Sequence, residues 1–496
     1  MLRVFNQEIT QPGNFVVTLE LVPGRESIGR SIDTITGIAR DAFSDGRVSA
    51  VSITDNPGGN PSLSPDVLGY EIFKTGLDVI VHFTCRDMNR AGMESRALQL
   101  ARMGMKTILA LTGDYSGRGF GGQGAPVFDF DSVILTAMLR HLSERLLASG
   151  DPDGFFTGCA VSPFKTTRAE CRAQYAKLGL KLEAGASFVI TQLGYDVHKY
   201  QELMAHRQET GIQAPVLGSV YLLSPRAARA MNRGRVPGAH VPDSLYQSVV
   251  REWQQPREGL KLSIDRTAKL GVILKGFGYS GIHIGGVHRS FKTVGAILDR
   301  MDALNRPWQE YLDEFGPRDT ACFYLYPASG EKAQPELPEP GPGLRETLTD
   351  HCPYRVLKTA HDLMFNKASP AAPLFRQVAK AMDTRAWILK LLLEDPVKQL
   401  FLSCRSCGDC AIQHVAFQCP ESGCPKHTRN GACGGSSNGY CEVNIDRLCI
   451  WVRAFRRLQR CGEEGSLCKE YVPPRLWELN RTSSWINFHL GRDHQR

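Results

Sequence analysis

The chain has 496 residues, of which 42% are hydrophobic and 22% charged, with a formal charge of +8. That length holds at least two cores, and that balance excludes a disordered, fibrous or membrane-embedded chain. Lys and Arg are interleaved with Asp and Glu, so the modest positive charge favours anionic ligands such as cofactor phosphates over nucleic acid.

The opening MLRVFNQEIT lacks the charged-then-apolar pattern of a signal peptide, and no run approaches twenty apolar residues. The expectation is a cytoplasmic protein without a membrane span. Eight short apolar runs then read as strands, over 15–21, 48–54, 78–84, 107–112, 155–160, 187–191, 216–221 and 281–284. Amphipathic segments such as 27–43, 91–103 and 131–148 lie between them. This alternation predicts an α/β fold, a (β/α)8 TIM barrel over 1–310, with a doubly wound open sheet as the alternative. Polar and glycine residues close the runs: Glu20, Thr54-Asp55-Asn56, His82, Thr84, Gly113-Asp114, Gln192 and Gly285-Gly286. In a barrel these strand ends converge on one mouth, which predicts an active site built from many strands.

A connecting segment over 311–345 contains a Pro/Gly-rich linker, 327–343, that can hold neither helix nor strand. Beyond it, 346–496 reads as a smaller, mainly helical and loop-rich, cysteine-rich metal-binding domain. Its first part, to 402, looks helical, with Leu374, Phe375, Val378, Trp387, Ile388, Leu391 and Leu392 as core positions; an amphipathic stretch over 445–458 closes the cysteine module.

Of fifteen cysteines only five precede residue 400, and the rest crowd between Cys404 and Cys468. In a reducing compartment such crowding means metal before disulfide. Cys404-x2-Cys407-x2-Cys410 followed by Cys419-Pro420 has the spacing of a [4Fe–4S] ligand loop, and Cys424, Cys433, Cys441 and Cys449 supply enough further thiols for a second site. Structural zinc on two cysteine pairs is the alternative.

Other motifs are ambiguous by spacing alone. Gly117-x-Gly119-x-x-Gly122 matches a dinucleotide fingerprint, but Pro126 follows instead of a helix start, so it reads as a loop at the mouth. Glu20 is either an outward-facing residue of an alternating strand, which spacing favours, or a partly desolvated general acid between Leu19 and Leu21. Asp114 has the same two readings. His82 suits a core position, and Gln192 is either an amide partner for a heterocycle or a strand-end residue.

Taken together, LELVPGRE (19–26), VSITDNPGG (51–59), VHFTCRD (81–87), ILALTGD (108–114), LEAGASFVITQLGYD (182–196) and GIHIGG (281–286) resemble methylenetetrahydrofolate reductase, in that family's order over about 300 residues. The resemblance implies a flavin-bearing barrel that reduces 5,10-methylenetetrahydrofolate to 5-methyltetrahydrofolate, with tetrahydrofolate as substrate. Glu20 then matches the acid that protonates N10 of the folate. Asp114 matches the aspartate beside flavin and pterin, and Gln192 the amide at the pterin edge. Thr54, His82, Gly113 and Lys181 match flavin-holding positions. Thr112 stands where many bacterial members carry an arginine, which leaves FAD or FMN open. Asp55-Asn56-Pro57 and Gly285-Gly286 also depart from the family pattern, the latter where a nicotinamide would need room.

The segment 404–443 is similar to the cysteine-rich, iron–sulfur partner of acetogen reductases. Electrons then come from NAD(P)H or from a ferredoxin-type protein, and a homo-oligomer is compatible with the family. The rival readings are a methyltetrahydrofolate-binding methyltransferase barrel and a non-catalytic electron-transfer or assembly subunit.

Overall fold

The structure, a computed structural model, describes residues 4–319, 322–326 and 348–495. The predicted linker 327–343 lies outside them. Eight parallel strands form a closed barrel in sequence order: β1 (Val16–Leu21), β2 (Ala50–Ile53), β3 (Asp78–Thr84), β4 (Thr107–Leu111), β5 (Phe156–Val161), β6 (Phe188–Thr191), β7 (Val216–Tyr221) and β8 (Gly281–Gly285). Val16 pairs with Gly281, so β8 closes on β1 and the open-sheet alternative is set aside. A barrel strand is buried on both faces, and β2 and β6 are accordingly buried at every position. That is why continuous apolar runs, without alternation, announced them.

The helices follow the same logic. In α1 (Arg30–Asp45) the buried residues Ile32, Ile35, Ile38, Ala39 and Ala42 recur at three- and four-residue spacing, and Gly46 ends the helix at φ 88°. Further round the barrel, α2 (Pro65–Phe73), α3 (Arg90–Arg102), α4 (Ser132–Ala148) and α5 (Arg168–Glu183) cover the sheet. Among the described residues, no helix is long and apolar enough to cross a membrane.

The cysteine-rich module packs against α5. Its helix α6 (Ile450–Gln459) buries Ile450, Trp451 and Phe455 in one cluster with Ala169 and Ala173 of α5. The amphipathic stretch thus starts at Ile450 instead of 445, and Ile445 is exposed. A second expectation also fails. Leu374, Val378, Leu391 and Leu392 are exposed, as is Trp387 at 64%, while Phe375 and Ile388 are half-buried. The helices exist, but their apolar faces are not buried: periodicity marks a face without stating what covers it.

Asp131 joins the two parts. As N-cap of α4 its Oδ1 accepts from Val133 N (3.0 Å) and Ile134 N (3.2 Å). Its Oδ2 accepts from Arg429 N (3.1 Å), Asn430 N (2.9 Å) and Asn430 Nδ2 (3.2 Å) in the module. Lysines add to the seam: Lys177 Nζ donates to Gly431 O (3.1 Å), and Lys165 Nζ donates to Gly434 O (2.6 Å) and Ser436 O (2.5 Å). Within the module, Asp409 of the CGDC turn accepts from Arg429 Nη1 (2.9 Å) and from Leu476 N (3.1 Å).

Asp131→Ala leaves buried donors unmet on both sides of the seam, so thermal unfolding should show a loss of about 3 kcal/mol. Limited proteolysis should release the module from the barrel earlier than in the parent protein. Unchanged stability and proteolysis would show that the carboxylate does not hold the seam.

Candidate active site

The strand ends converge on one cavity of about 290 Å3 at the barrel mouth. Glu20, Thr54, His82, Thr112, Gly113, Asp114, Lys181 and Gln192, from six separate places in the chain, all line it. The sequence expectation therefore brings together residues up to 172 positions apart (Glu20 to Gln192).

Each is held by local structure. Glu20 stands near the end of β1, beside Gly285 and Tyr221; a Cβ on Gly285 would lie 3.2 Å from Glu20 Oε2 and 3.0 Å from Tyr221 Cδ2. The glycine at the end of β8 thus makes room for the carboxyl. Desolvation raises that carboxyl from the ordinary glutamate range to about 7. His82 is buried on β3, where burial lowers its imidazole to about 4, and its Nε2 has no hydrogen-bond partner. Lys181 of α5 donates to Ala160 O (2.7 Å), and burial lowers its ammonium to about 8. Thr112 Oγ1 is used structurally: it accepts from Ser132 N (3.3 Å) and ties β4 to the start of α4.

The loops after β2 and β4 interlock. Asp114 Oδ2 accepts from Gly58 N (2.9 Å), and Gly59 O accepts from Gly117 N (2.9 Å). A Cβ on Gly59 would come 2.0 Å from Tyr115 O, so two backbones meet here as only glycine allows. This close approach accounts for the first glycine of the Gly117-x-Gly119-x-x-Gly122 motif. The rest forms an exposed two-stranded hairpin, Arg118–Gly119 against Gly122–Gln123. Gln192 is likewise engaged, its Nε2 donating to Pro237 O (3.1 Å) and its Oε1 accepting from Leu193 N (2.9 Å).

Several cavity residues escaped the sequence reading. His283 on β8 contacts Thr18 Oγ1 through Nδ1 (2.8 Å) and is lowered to about 3 by burial, with His82 beside it. Gln174 of α5 is buried with Nε2 unpartnered. Arg86, 1% exposed, pairs with Asp87 (2.6 Å). From the module come Lys426, Cys433, Gly434, Gly435 and Glu442. Lys426 Nζ donates to Gly113 O (2.7 Å) and pairs with Glu442 Oε1 (2.5 Å), which fixes the module's loop against the strand end. The motif VHFTCRD signalled Arg86, and GIHIGG contained His283; no local pattern marks Lys426 or Glu442 as barrel-mouth residues.

Four buried polar atoms in this cavity lining lack hydrogen-bond partners: Thr54 Oγ1, His82 Nε2, Ser162 Oγ and Gln174 Nε2. Buried polar groups are ordinarily satisfied, so this set fits a flat heterocycle with several polar edge atoms, such as a flavin. The mouth is suited to stacking such a ring against a substrate under an un-ionised acid.

The cysteine-rich region carries many thiols that could bind metal, and all fifteen cysteines are free. The family model described as methylenetetrahydrofolate reductase matches residues 5–302, and one described as methylene-tetrahydrofolate reductase C terminal matches 388–478. The chain is 29% identical over 160 residues to a probable methylenetetrahydrofolate reductase (NADPH) of Caenorhabditis elegans, a match covering 32% of this chain and 22% of that protein. It is 25% identical over 209 residues to methylenetetrahydrofolate reductase 1 of Schizosaccharomyces pombe, covering 41% of this chain and 33% of that one. With the 5,10-methylenetetrahydrofolate reductase of Pectobacterium carotovorum it shares 25% identity over 229 residues, 44% of this chain and 68% of that one. The match thus spans no more than a third of the two eukaryotic relatives.

The environments of His82 and His283 give a direct check. Both imidazoles should stay neutral through pH 6 and take up protons only below pH 5, as read by 15N shifts of labelled histidine. Protonation of either ring near pH 6.5 would mean that its site is open to water.

Proposed function

The chain belongs to the methylenetetrahydrofolate reductase family, and on that footing we propose that it interconverts 5,10-methylenetetrahydrofolate and 5-methyltetrahydrofolate with a flavin held in the barrel cavity. One observation carries this reading: the Glu20 carboxyl, protonated near neutrality, borders the same cavity as four unpartnered polar atoms. When bound, the flavin supplies the hydride.

The chain's own residues do the rest. Thr54 Oγ1, His82 Nε2, Ser162 Oγ and Gln174 Nε2 hold the cofactor's polar edge, with Lys181 as a nearby cation. Gly113, at φ 88°, turns the chain so that Asp114 stands at the mouth. With Oδ2 held by Gly58 N, Asp114 offers Oδ1 to the pterin, and Gln192 borders the same space. Glu20 keeps its proton because the site resists ionisation, and gives it to N10 of the folate as the five-membered ring opens. The module's Lys426 and Glu442 wall the cavity and exclude water from the acid. Reducing equivalents come from NAD(P)H or a ferredoxin-type protein, and the cysteine module on the cavity wall supports the latter.

Glu20→Gln should retain flavin, read from its visible spectrum, and lose folate turnover by about a hundredfold or more. In the parent protein, reduction of the folate should fall with rising pH through about 7, tenfold per unit well above it, because the donating form is the neutral acid. Full turnover in Glu20→Gln would remove Glu20 from the acid's role, and a protein that takes up no flavin would sink the reading.

A further inference from the structure

The helices between the barrel and the cysteine turns are apolar on the outside. Of the large hydrophobic side chains exposed among the described residues, eleven of twenty-three lie within 348–402, so the excess belongs to one part of the chain. Single exposed apolar residues are ordinary, but a gathered set marks a contact surface. Leu391, Leu392 and Leu393 are exposed in succession, Leu392 at 72%, in a π turn over Lys390–Glu394. The helix that follows, Asp395–Leu402, is built inside out. Its Lys398 is buried in an ion pair with Glu394 (3.1 Å), which also accepts from Ser484 N (3.0 Å), Ser484 Oγ (2.7 Å) and Ser483 Oγ (2.6 Å). Leu393, Val397 and Leu400, spaced i, i+4 and i+7, form the exposed stripe. A helix on a globular protein ordinarily turns such a stripe to the core. Here the charges occupy the core side, and the stripe is left for an apolar medium outside the chain.

Charge distinguishes which medium. On the helices over 354–402, the Lys, Arg, Asp and Glu side chains that are not exposed are paired: Lys358 with Glu463, Asp383 with Arg492, Lys390 with Asp395 and Lys398 with Glu394. The exposed ones are five cations, Arg355, Lys367, Arg376, Lys380 and Arg385, against one acid, Asp362. In the helix Ala372–Met382, Ala372 and Ala379 are buried, Leu374 and Val378 are exposed, and Arg376 and Lys380 follow each of these by two residues, on the flank of the stripe. An apolar stripe flanked by cations suits an anionic lipid surface, whose acyl region takes the leucines and whose phosphates take the arginines and lysines. A two-fold contact between copies would instead set the same cations against one another. Hot spots between proteins favour Trp, Tyr and Arg and are poor in Leu and Val. This face is mostly leucine and valine, with Trp387 as its exposed tryptophan.

We propose that the helices over 354–402 form a peripheral docking face for an anionic membrane. Trp387, Leu391, Leu392, Leu393 and Leu400 enter the boundary between headgroups and acyl chains, and Arg376, Lys380 and Arg385 meet the lipid phosphates. The indole suits that boundary, being apolar in body with one polar edge. The contact lies on the bilayer: among the described residues no helix is long and apolar enough to cross it. The assignment rests on neither the flavin nor the cysteines.

The test is flotation of the full chain with vesicles of equal phosphatidylglycerol and phosphatidylcholine, and with vesicles of phosphatidylcholine alone. The parent should float with the first and stay behind with the second, and its binding should weaken at least about tenfold between about 0.1 and 1 M salt. Leu392→Glu and the pair Arg376→Glu with Lys380→Glu should each weaken binding at least about tenfold. All three side chains are exposed, so thermal unfolding should stay where it is in the parent. Leu147→Glu, at an exposed leucine of a barrel helix, should bind like the parent. Sedimentation without lipid reads the rival occupant: a dimer that Leu392→Glu splits would assign the face to a second copy and overturn the proposal. A monomer that ignores anionic vesicles would overturn it in favour of an acidic protein partner, and equal binding by parent and Leu392→Glu would place the lipid contact elsewhere.

Discussion

One buried carboxylate sets the geometry on which the site depends. Asp131 uses one oxygen to begin α4 and the other to hold the backbone of Arg429 and Asn430. A single side chain therefore fixes a barrel helix and a module loop in one frame, with both of its oxygens satisfied. Three residues before Arg429 stands Lys426, whose ammonium reaches the carbonyl of Gly113 at the end of β4. The wall of the cavity is in this sense an extension of a helix cap.

Much of the barrel was legible because its physics is local. A strand in a closed parallel sheet is apolar on both faces, and the residues at its end face one mouth whatever their separation in sequence. Glu20, Thr54, His82, Gly113, Asp114, Lys181 and Gln192 were found by that rule together with the family likeness, and they share one cavity. Spacing alone favoured an outward-facing Glu20; the room for its carboxyl at the cavity edge comes from Gly285, and the raised carboxyl from burial.

What stayed illegible depends on docking between distant segments. Nothing in the pattern around Lys426 says that it meets a strand end 313 residues earlier, or around Glu442 that it pairs with Lys426 in the wall of the same cavity. Gln174 reads as one more polar residue on a helix until the module covers it. The opposite error occurred at Leu374, Trp387 and Leu392, whose helical spacing suggested a core that the described residues do not provide. Amphipathic spacing is a local property, and burial is a property of the partner.

The cysteine module has little regular structure of its own, and its conformation is set by turns. Ser403, Ser406, Ala416, Phe417, His427 and Asn438 all adopt positive φ, and at Gly408 a Cβ would meet Leu479 O at 1.9 Å. Such a backbone is held by what it surrounds and by what it leans on. The hydrogen bond from Lys426 to Gly113 spans 313 residues, so the barrel mouth acquires this wall only after nearly all of the preceding chain has been made. During synthesis on the ribosome the strands and their polar ends exist well before the pocket does. Uptake of anything the pocket encloses is thereby ordered in time: it follows completion of the module, and an incomplete chain offers an open, wet bowl in its place.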